Sequence, residues 1–307
     1  MRILHITNHL QKIGNGIVNV AVDLACLQAQ SGFDVAVASA GGEYETLLAD
    51  YGVKHFHLNQ CRTPLNLIKA TWNYRRIIKD FQPDIVHVHM MTGVILAGIF
   101  RKNREYHLVS TIHNEFQPSA VLMGLADQVI AVSNAVANSM MKRGIPSEKL
   151  RVVSNGTLGS PRHKKLQDYQ PVAMQYPSIT TVAGMYNRKG ISELIEAFKI
   201  IAEDFPEARE AGCAIIASNV DGIPETLDHS QAGILIPPKD IGTLANTLTQ
   251  LLSDRQLLNK WKFRAQQNLA RFHAARVNEE TLAVYRELMR KSNVIKVMEI
   301  RKLVTGK

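Results

Sequence analysis

Two groups of residues in this 307-residue chain have the types and spacing to do chemistry. The first is the turn Gly184-Met-Tyr-Asn-Arg188-Lys189-Gly190. It lies between a strand pattern at 179–183 and a helix with Ile191, Leu194, Ile195 and Phe198 at helical spacing. Backbone N–H groups at a helix start attract an anion, and Arg188 and Lys189 add full positive charges. Strand, basic glycine-bearing turn and helix together form a phosphate cradle; a solvated basic loop is the plainer reading of the same residues. The second group is spread through the first half. Gly14 and Gly16 stand where a strand ends and a helix begins, so backbone can approach a phosphate or sugar closely, or simply turn tightly. His87 and His89 alternate on one strand face and could hold a metal with a third ligand. No acidic or histidine partner follows at useful spacing, so they read as strand-end histidines facing a cleft, with no metal. His113 closes another strand at the end where open α/β sheets place ligands. An imidazole there can hydrogen-bond a hydroxyl or exchange a proton; a loop histidine is the alternative.

The elements that must position these residues alternate. Strand patterns at 2–7, 34–39, 54–58, 84–89, 108–112, 128–132 and 150–153 are separated by helical patterns at 17–30, 43–50, 65–81, 92–100 and 134–143. That alternation predicts a doubly wound, parallel α/β sheet. The polar stretch 159–177 reads as a linker. A second set of elements follows over 178–289, with strands at 179–183, 213–218 and 235–236 and helices at 241–252 and within 256–289. A basic tail, 290–307, reads as a helix packing back plus a frayed end.

At this length two domains are expected, 1–158 and 178–289, and a hydrophobic content of 46% describes a globular chain. The apolar run 90–100 is too short to span a bilayer, and Met1-Arg2 leads straight into a strand pattern with no signal-peptide core. Cys26, Cys61 and Cys213 have no metal or redox spacing and fit a reducing, cytoplasmic setting. The net charge of +9 points to an anionic partner: a nucleotide diphosphate, an anionic membrane surface at the inner face of the membrane, or nucleic acid. No recognition-helix, zinc-finger or RNP-type pattern supports nucleic acid. The helix 65–81 carries Lys69, Trp72, Arg75, Arg76 and Lys79, a face suited to lipid headgroups or equally to solvent.

Longer motifs add a family. G-M-Y-N-R-K-G, then E-A-R-E-A-G-C-A-I-I-A-S-N-V-D-G-I-P-E and A-G-I-L-I-P-P-K-D, resemble the donor-binding half of GT-B glycosyltransferases of family 4. The first half resembles them in the same order, through Gly14-Asn-Gly16, Pro83-Asp-Ile-Val-His87-Val-His89, Thr111-Ile-His113, Ala131-Val-Ser133 and Ser154-Asn-Gly156, where Ser154 replaces a proline. The resemblance implies two Rossmann-like domains facing a cleft and retaining, metal-independent transfer of a sugar from a nucleotide sugar to a glycan or lipid-linked acceptor, with no cofactor. It implies His113 as the catalytic candidate and Gly14, Gly16, Gly184, Arg188, Lys189, Glu207 and Gly222 at the donor. His87 and His89 would lie on the acceptor side. Met185 stands where the family often carries arginine, leaving Arg188 to substitute.

One departure matters. In the family several strand–helix units separate the helix after the basic turn from the E-A-x-x-x-G helix; here Phe205-Pro206 joins them almost directly. The gap corresponds to roughly two βα units, on the order of 60 residues. Glu207 matches the second of the family's paired glutamates, or is the tail of the preceding helix, and the first glutamate has no counterpart. The donor domain is therefore expected to be shortened, with strands 179–183 and 213–218 as neighbours or nearly so. A non-catalytic relative that binds an acceptor, nucleotide or partner is the rival expectation. A nicotinamide oxidoreductase is disfavoured, because no G-x-G-x-x-G with a following ribose-binding acid occurs.

Overall fold

A computed structural model describes residues 1–61, 63–101, 106–113, 117–164, 168 and 212–305. It separates into two compact units. One comprises 1–155, 160–163 and 274–307, the other 156–159 and 164–273.

The first unit is built on seven parallel strands: β1 (Arg2–Ile6), β2 (Asp34–Ser39), β3 (Lys54–His57), β4 (Ile85–Val88), β5 (His107–Ile112), β6 (Gln128–Ala131) and β7 (Leu150–Val152). Their order is β3-β2-β1-β4-β5-β6-β7, so the winding reverses between β1 and β4. The helices are α1 (Gly16–Gln30), α2 (Tyr44–Asp50), α3 (Pro64–Phe81), α4 (Met91–Ile99), α5 (Asn134–Lys142) and, much later in the chain, α9 (Ala274–Thr305). Strand alternation sorts side chains between two layers. Leu4, Ile6, Val86 and Val88 join the core beneath α3, α4 and α5, while Ile3, Ile85 and Val109 pack with Leu24 of α1 and Leu282 and Tyr285 of α9. Local chemistry sets the helix ends. The Asn15 side chain caps the Ile17 N–H and the Ser133 hydroxyl caps Val136. Past the end of α1, Gly32 takes the left-handed conformation (φ 85°) that an ordinary residue resists, and its N–H bonds back to the Ala29 carbonyl.

The second unit contains the parallel pair β8 (Ile216–Ser218) and β9 (Ile234–Ile236), joined through the one-turn helix α6 (Ile223–Thr226). Then follow α7 (Ile241–Ser253) and α8 (Arg255–Ala265), capped by Asp240 and Asp254. The expected strand at 179–183 lies outside the described residues.

Two expectations on chain organisation meet a different structure. The sequence pattern runs the second domain to 289, followed by a helix packing back and a frayed end. The helix is present and continues to Thr305, but from Ala274 onward it belongs to the first unit. It is held there by Val277, Leu282 and Tyr285 in the core, by Glu287 paired to Arg151 of β7 (2.8 Å), and by Arg276 donating to the Ser154 carbonyl. The polar stretch read as linker is also tied down at its start. Arg162 forms a buried bidentate pair with Asp23 of α1 (2.7 and 2.9 Å), and Ser160 donates to the same carboxylate. Composition marks such a stretch as polar; only the fold shows that its charges have a buried partner.

Candidate functional site

The strand reversal between β1 and β4 opens a crevice at their carboxyl ends, where open α/β sheets bind ligands. A cavity of about 210 Å³ lies there. Its lining includes Asn8 after β1, His89 after β4, Thr111 and His113 at the end of β5, Ile17 from the first turn of α1, and Thr92 from the first turn of α4. Two helix starts thus contribute partial positive charge to the lining.

Gly14 and Gly16 come just before Ile17 in the chain, Gly16 being the first residue of α1. Gly14 has φ 68°, and a Cβ added to either glycine would meet nothing within 4 Å. Backbone there is open to close approach, as the loop reading requires. The loop is braced from behind. Leu10 N–H donates to the Gly41 carbonyl and Lys12 N–H to the Glu43 carboxylate. A Cβ on Gly42 would stand 2.3 Å from the Leu10 backbone, so the brace needs glycine at that position.

The histidines are organised beyond what spacing could show. His5 and His87 are register partners on β1 and β4 and, with His89, project toward α1 and α9. One hydrogen-bonded line runs from Gln28 Oε1 to His5 Nε2 (2.8 Å), from His5 Nδ1 to His89 Nε2 (3.0 Å), and from His89 Nδ1 to His113 Nε2 (3.4 Å). A second joins the Tyr285 hydroxyl to His87 Nδ1 (2.5 Å) and His87 Nε2 to Thr111 Oγ1 (2.7 Å). His5, His87 and His89 are buried and His113 half-buried. Burial disfavours the charged imidazolium: it pushes His5 and His113 down to about 4, and His87 and His89 well below the ordinary imidazole range. All are therefore neutral near pH 7. Burial likewise raises the Tyr285 phenol, which stays protonated.

The sequence-derived site residues divide accordingly. His113 and His89 line the cavity, and Gly14 and Gly16 precede Ile17, the α1 residue that lines it, without lining it themselves. His87 does not face it. Two residues earlier on β4 and fully buried, it is covered by Tyr285 and held by Thr111, which corrects its acceptor-side assignment. Gly222 starts α6 in the second unit with an ordinary φ of −87°. The far end of that turn is capped by Arg271, which donates to the Glu225 and Thr226 carbonyls and pairs with Asp228. Gly184, Arg188, Lys189 and Glu207 lie outside the described residues. Among the described residues, the third histidine that spacing did not find is His5: ligand-type atoms of His5, His87 and His89 lie within 4.8 Å of one another. Hydrogen bonds occupy both nitrogens of each ring. Gln28 and Tyr285 were also missed. Their signal was a polar residue on an otherwise apolar helix face.

Comparison with known proteins gives two family matches. Residues 14–157 match the model for Glycosyltransferase Family 4, and residues 205–268 match Glycosyl transferases group 1. The second match begins at the Phe205-Pro206 junction, and the turn 184–190 falls outside both. An exopolysaccharide phosphotransferase of Streptomyces coelicolor is 30% identical over 95 residues, 31% of this chain and 10% of that protein. A phosphatidyl-myo-inositol mannosyltransferase of Mycolicibacterium smegmatis is 32% identical over 90 residues, 29% of this chain and 22% of that protein. The chain thus spans only a small part of these curated relatives. Among solved structures, Anabaena HepE in complex with UDP superposes with a TM-score of 0.69 at 17% identity, covering 94% of this chain and 100% of that one, a likeness of fold. Each half of the chain thus matches a glycosyltransferase family, the second match confined to residues 205–268, and the fold is shared with solved glycosyltransferases.

Proposed function

We propose that this chain handles a nucleotide-diphosphate sugar and a glycan or lipid-linked acceptor in cell-envelope polysaccharide synthesis. The observation that carries this reading is the cavity at the β1/β4 reversal, with His113 in its wall, inside the segment that matches the family. UDP bound to HepE and the lipid inositol acceptor of the mycobacterial relative support the two substrate classes. On this reading transfer retains the anomeric configuration and needs neither metal nor cofactor. His113 contacts the reacting sugar region, and His89 lies beside the acceptor. Arg188 and Lys189 neutralise the leaving diphosphate through charge-assisted hydrogen bonds of roughly 1.5–3 kcal/mol each.

The junction at Phe205-Pro206 favours a second reading, a relative that binds nucleotide without efficient transfer. Transfer depends on holding reacting atoms in a narrow geometry, and the lost units would have carried the first glutamate and part of the sugar-gripping wall. One experiment separates the readings: calorimetric titration with UDP and GDP beside assays with radiolabelled UDP-glucose and GDP-mannose. The expected result is nucleotide binding that disappears in Lys189→Ala, with transfer weak or below detection. Robust turnover, abolished in His113→Ala, would show the missing units to be dispensable. Absence of nucleotide binding would overturn the cradle itself.

The outer face of α3 supports attachment to an anionic membrane at the inner leaflet. Leu65, Ile68 and Trp72, at helical spacing, are 76%, 69% and 71% exposed, followed by Arg75, Arg76 and Lys79. Among the described residues, no helix is long and apolar enough to cross a membrane.

A further inference from the structure

The line of hydrogen bonds behind the cavity has a direction. A carboxamide oxygen only accepts, so the Gln28 Oε1 contact at 2.8 Å requires the proton of neutral His5 to sit on Nε2. His5 Nδ1 is then a lone pair, and the 3.0 Å contact requires His89 Nε2 to be the donor. His89 Nδ1 is in turn a lone pair, so the 3.4 Å contact is donated by His113 Nε2–H. Each neutral ring has one proton, and each choice dictates the next. The other end of the carboxamide, Gln28 Nε2, is buried without a hydrogen-bond partner among the described residues, so the amide is anchored through its oxygen on His5.

We propose that Gln28, His5 and His89 form a one-way relay that locks His113 as its Nε2–H tautomer and leaves His113 Nδ1 as a hydrogen-bond acceptor. Nδ1 has no hydrogen-bond partner among the described residues, and His113 lines the cavity. The relay fixes polarity without carrying protons away, because it terminates on an amide that cannot take one. Gln28, His5 and His89 are thus positioning residues acting through His113. What the locked acceptor does in transfer, accepting a hydrogen bond from a sugar or acceptor hydroxyl, rests on the function proposed above; the lock itself does not.

The test uses the full chain labelled with nitrogen-15, with long-range proton–nitrogen correlations recorded near pH 7. The His113 signals are those lost in His113→Gln. The expected wild-type pattern is a protonated Nε2 and an unprotonated Nδ1 on His113, His89 and His5, with the Nδ1–H form undetectable. Gln28→Met removes the terminal acceptor and His5→Phe breaks the line midway, and in each His113 should populate both tautomers. Detectable Nδ1–H on His113 in the wild type would overturn the lock. So would an unchanged His113 pattern in either variant that keeps a native near-UV signal. Equimolar zinc should leave the spectrum unchanged; concerted shifts of His5, His87 and His89 would show a metal centre in place of the relay. No readout depends on turnover, so a failed lock and a failed glycosyltransferase reading remain distinguishable.

Discussion

Mild acid should destabilise the first unit through its buried histidines. The sign follows from proton binding. His5, His87, His89 and His113 are held neutral in the fold, all with depressed affinity for a proton, while the unfolded chain binds protons near the ordinary imidazole value of 6.5. Their contribution is whole above 6.5 and is lost as the pH falls from there toward the folded value of about 4 for His5 and His113. For one such ring, moving from pH 7 to 5.5 costs about 1.2 kcal/mol. Four fully expressed rings would give about 5 kcal/mol, an upper bound because His113 keeps some exposure, set against roughly 5–15 kcal/mol for a whole domain. His55, depressed mainly by burial, adds in the same direction. Asp23, whose carboxyl burial raises above its ordinary range, acts in the opposite direction and works against the histidines as the pH falls. Urea titrations at pH 7.0, 6.0 and 5.5, read by pulsed hydrogen exchange of the β1 and β4 peptides, isolate this unit from the other. Stability should fall steeply, and His5→Gln should remove about a quarter of the slope. Stability that is flat or rises between pH 7.0 and 5.5 would refute the neutral cluster.

Two further outcomes are expected. Arg162→Ala should cost about 3–5 kcal/mol, since it leaves the Asp23 carboxylate buried without its bidentate partner; chemical denaturation checks this, and a cost under ~1 kcal/mol would mean the pair is not buried in solution. Replacing Leu65, Ile68 and Trp72 together by serine should abolish binding to vesicles containing anionic lipid and leave the melting temperature almost unchanged, because these side chains are exposed. Undiminished sedimentation with the vesicles would remove α3 from the membrane proposal.

Strand and helix periodicity, with glycine and proline at the boundaries, determined the first unit almost element by element. A parallel strand buried on both faces and a helix with one apolar stripe are written in neighbouring residues. Linear motifs such as Pro83–His89 and Thr111–His113 likewise carried the family and placed His113 at a strand end. What the sequence could not decide was which side chains meet after strands distant in the chain become neighbours. His5 and Gln28 are 23 residues apart, and Tyr285 lies 198 residues beyond His87, yet hydrogen bonds join each pair. The sheet order decided that, by setting β1 against β4 and placing α1 and α9 over both. It also divided two histidines that look equivalent in the sequence. The pleat puts His87 and His89 on one face, but the position of α9 buries the first under Tyr285 and leaves the second at the cavity wall. Spacing fixes the face of a strand; what covers that face comes from elsewhere in the chain, and only tertiary packing supplies it.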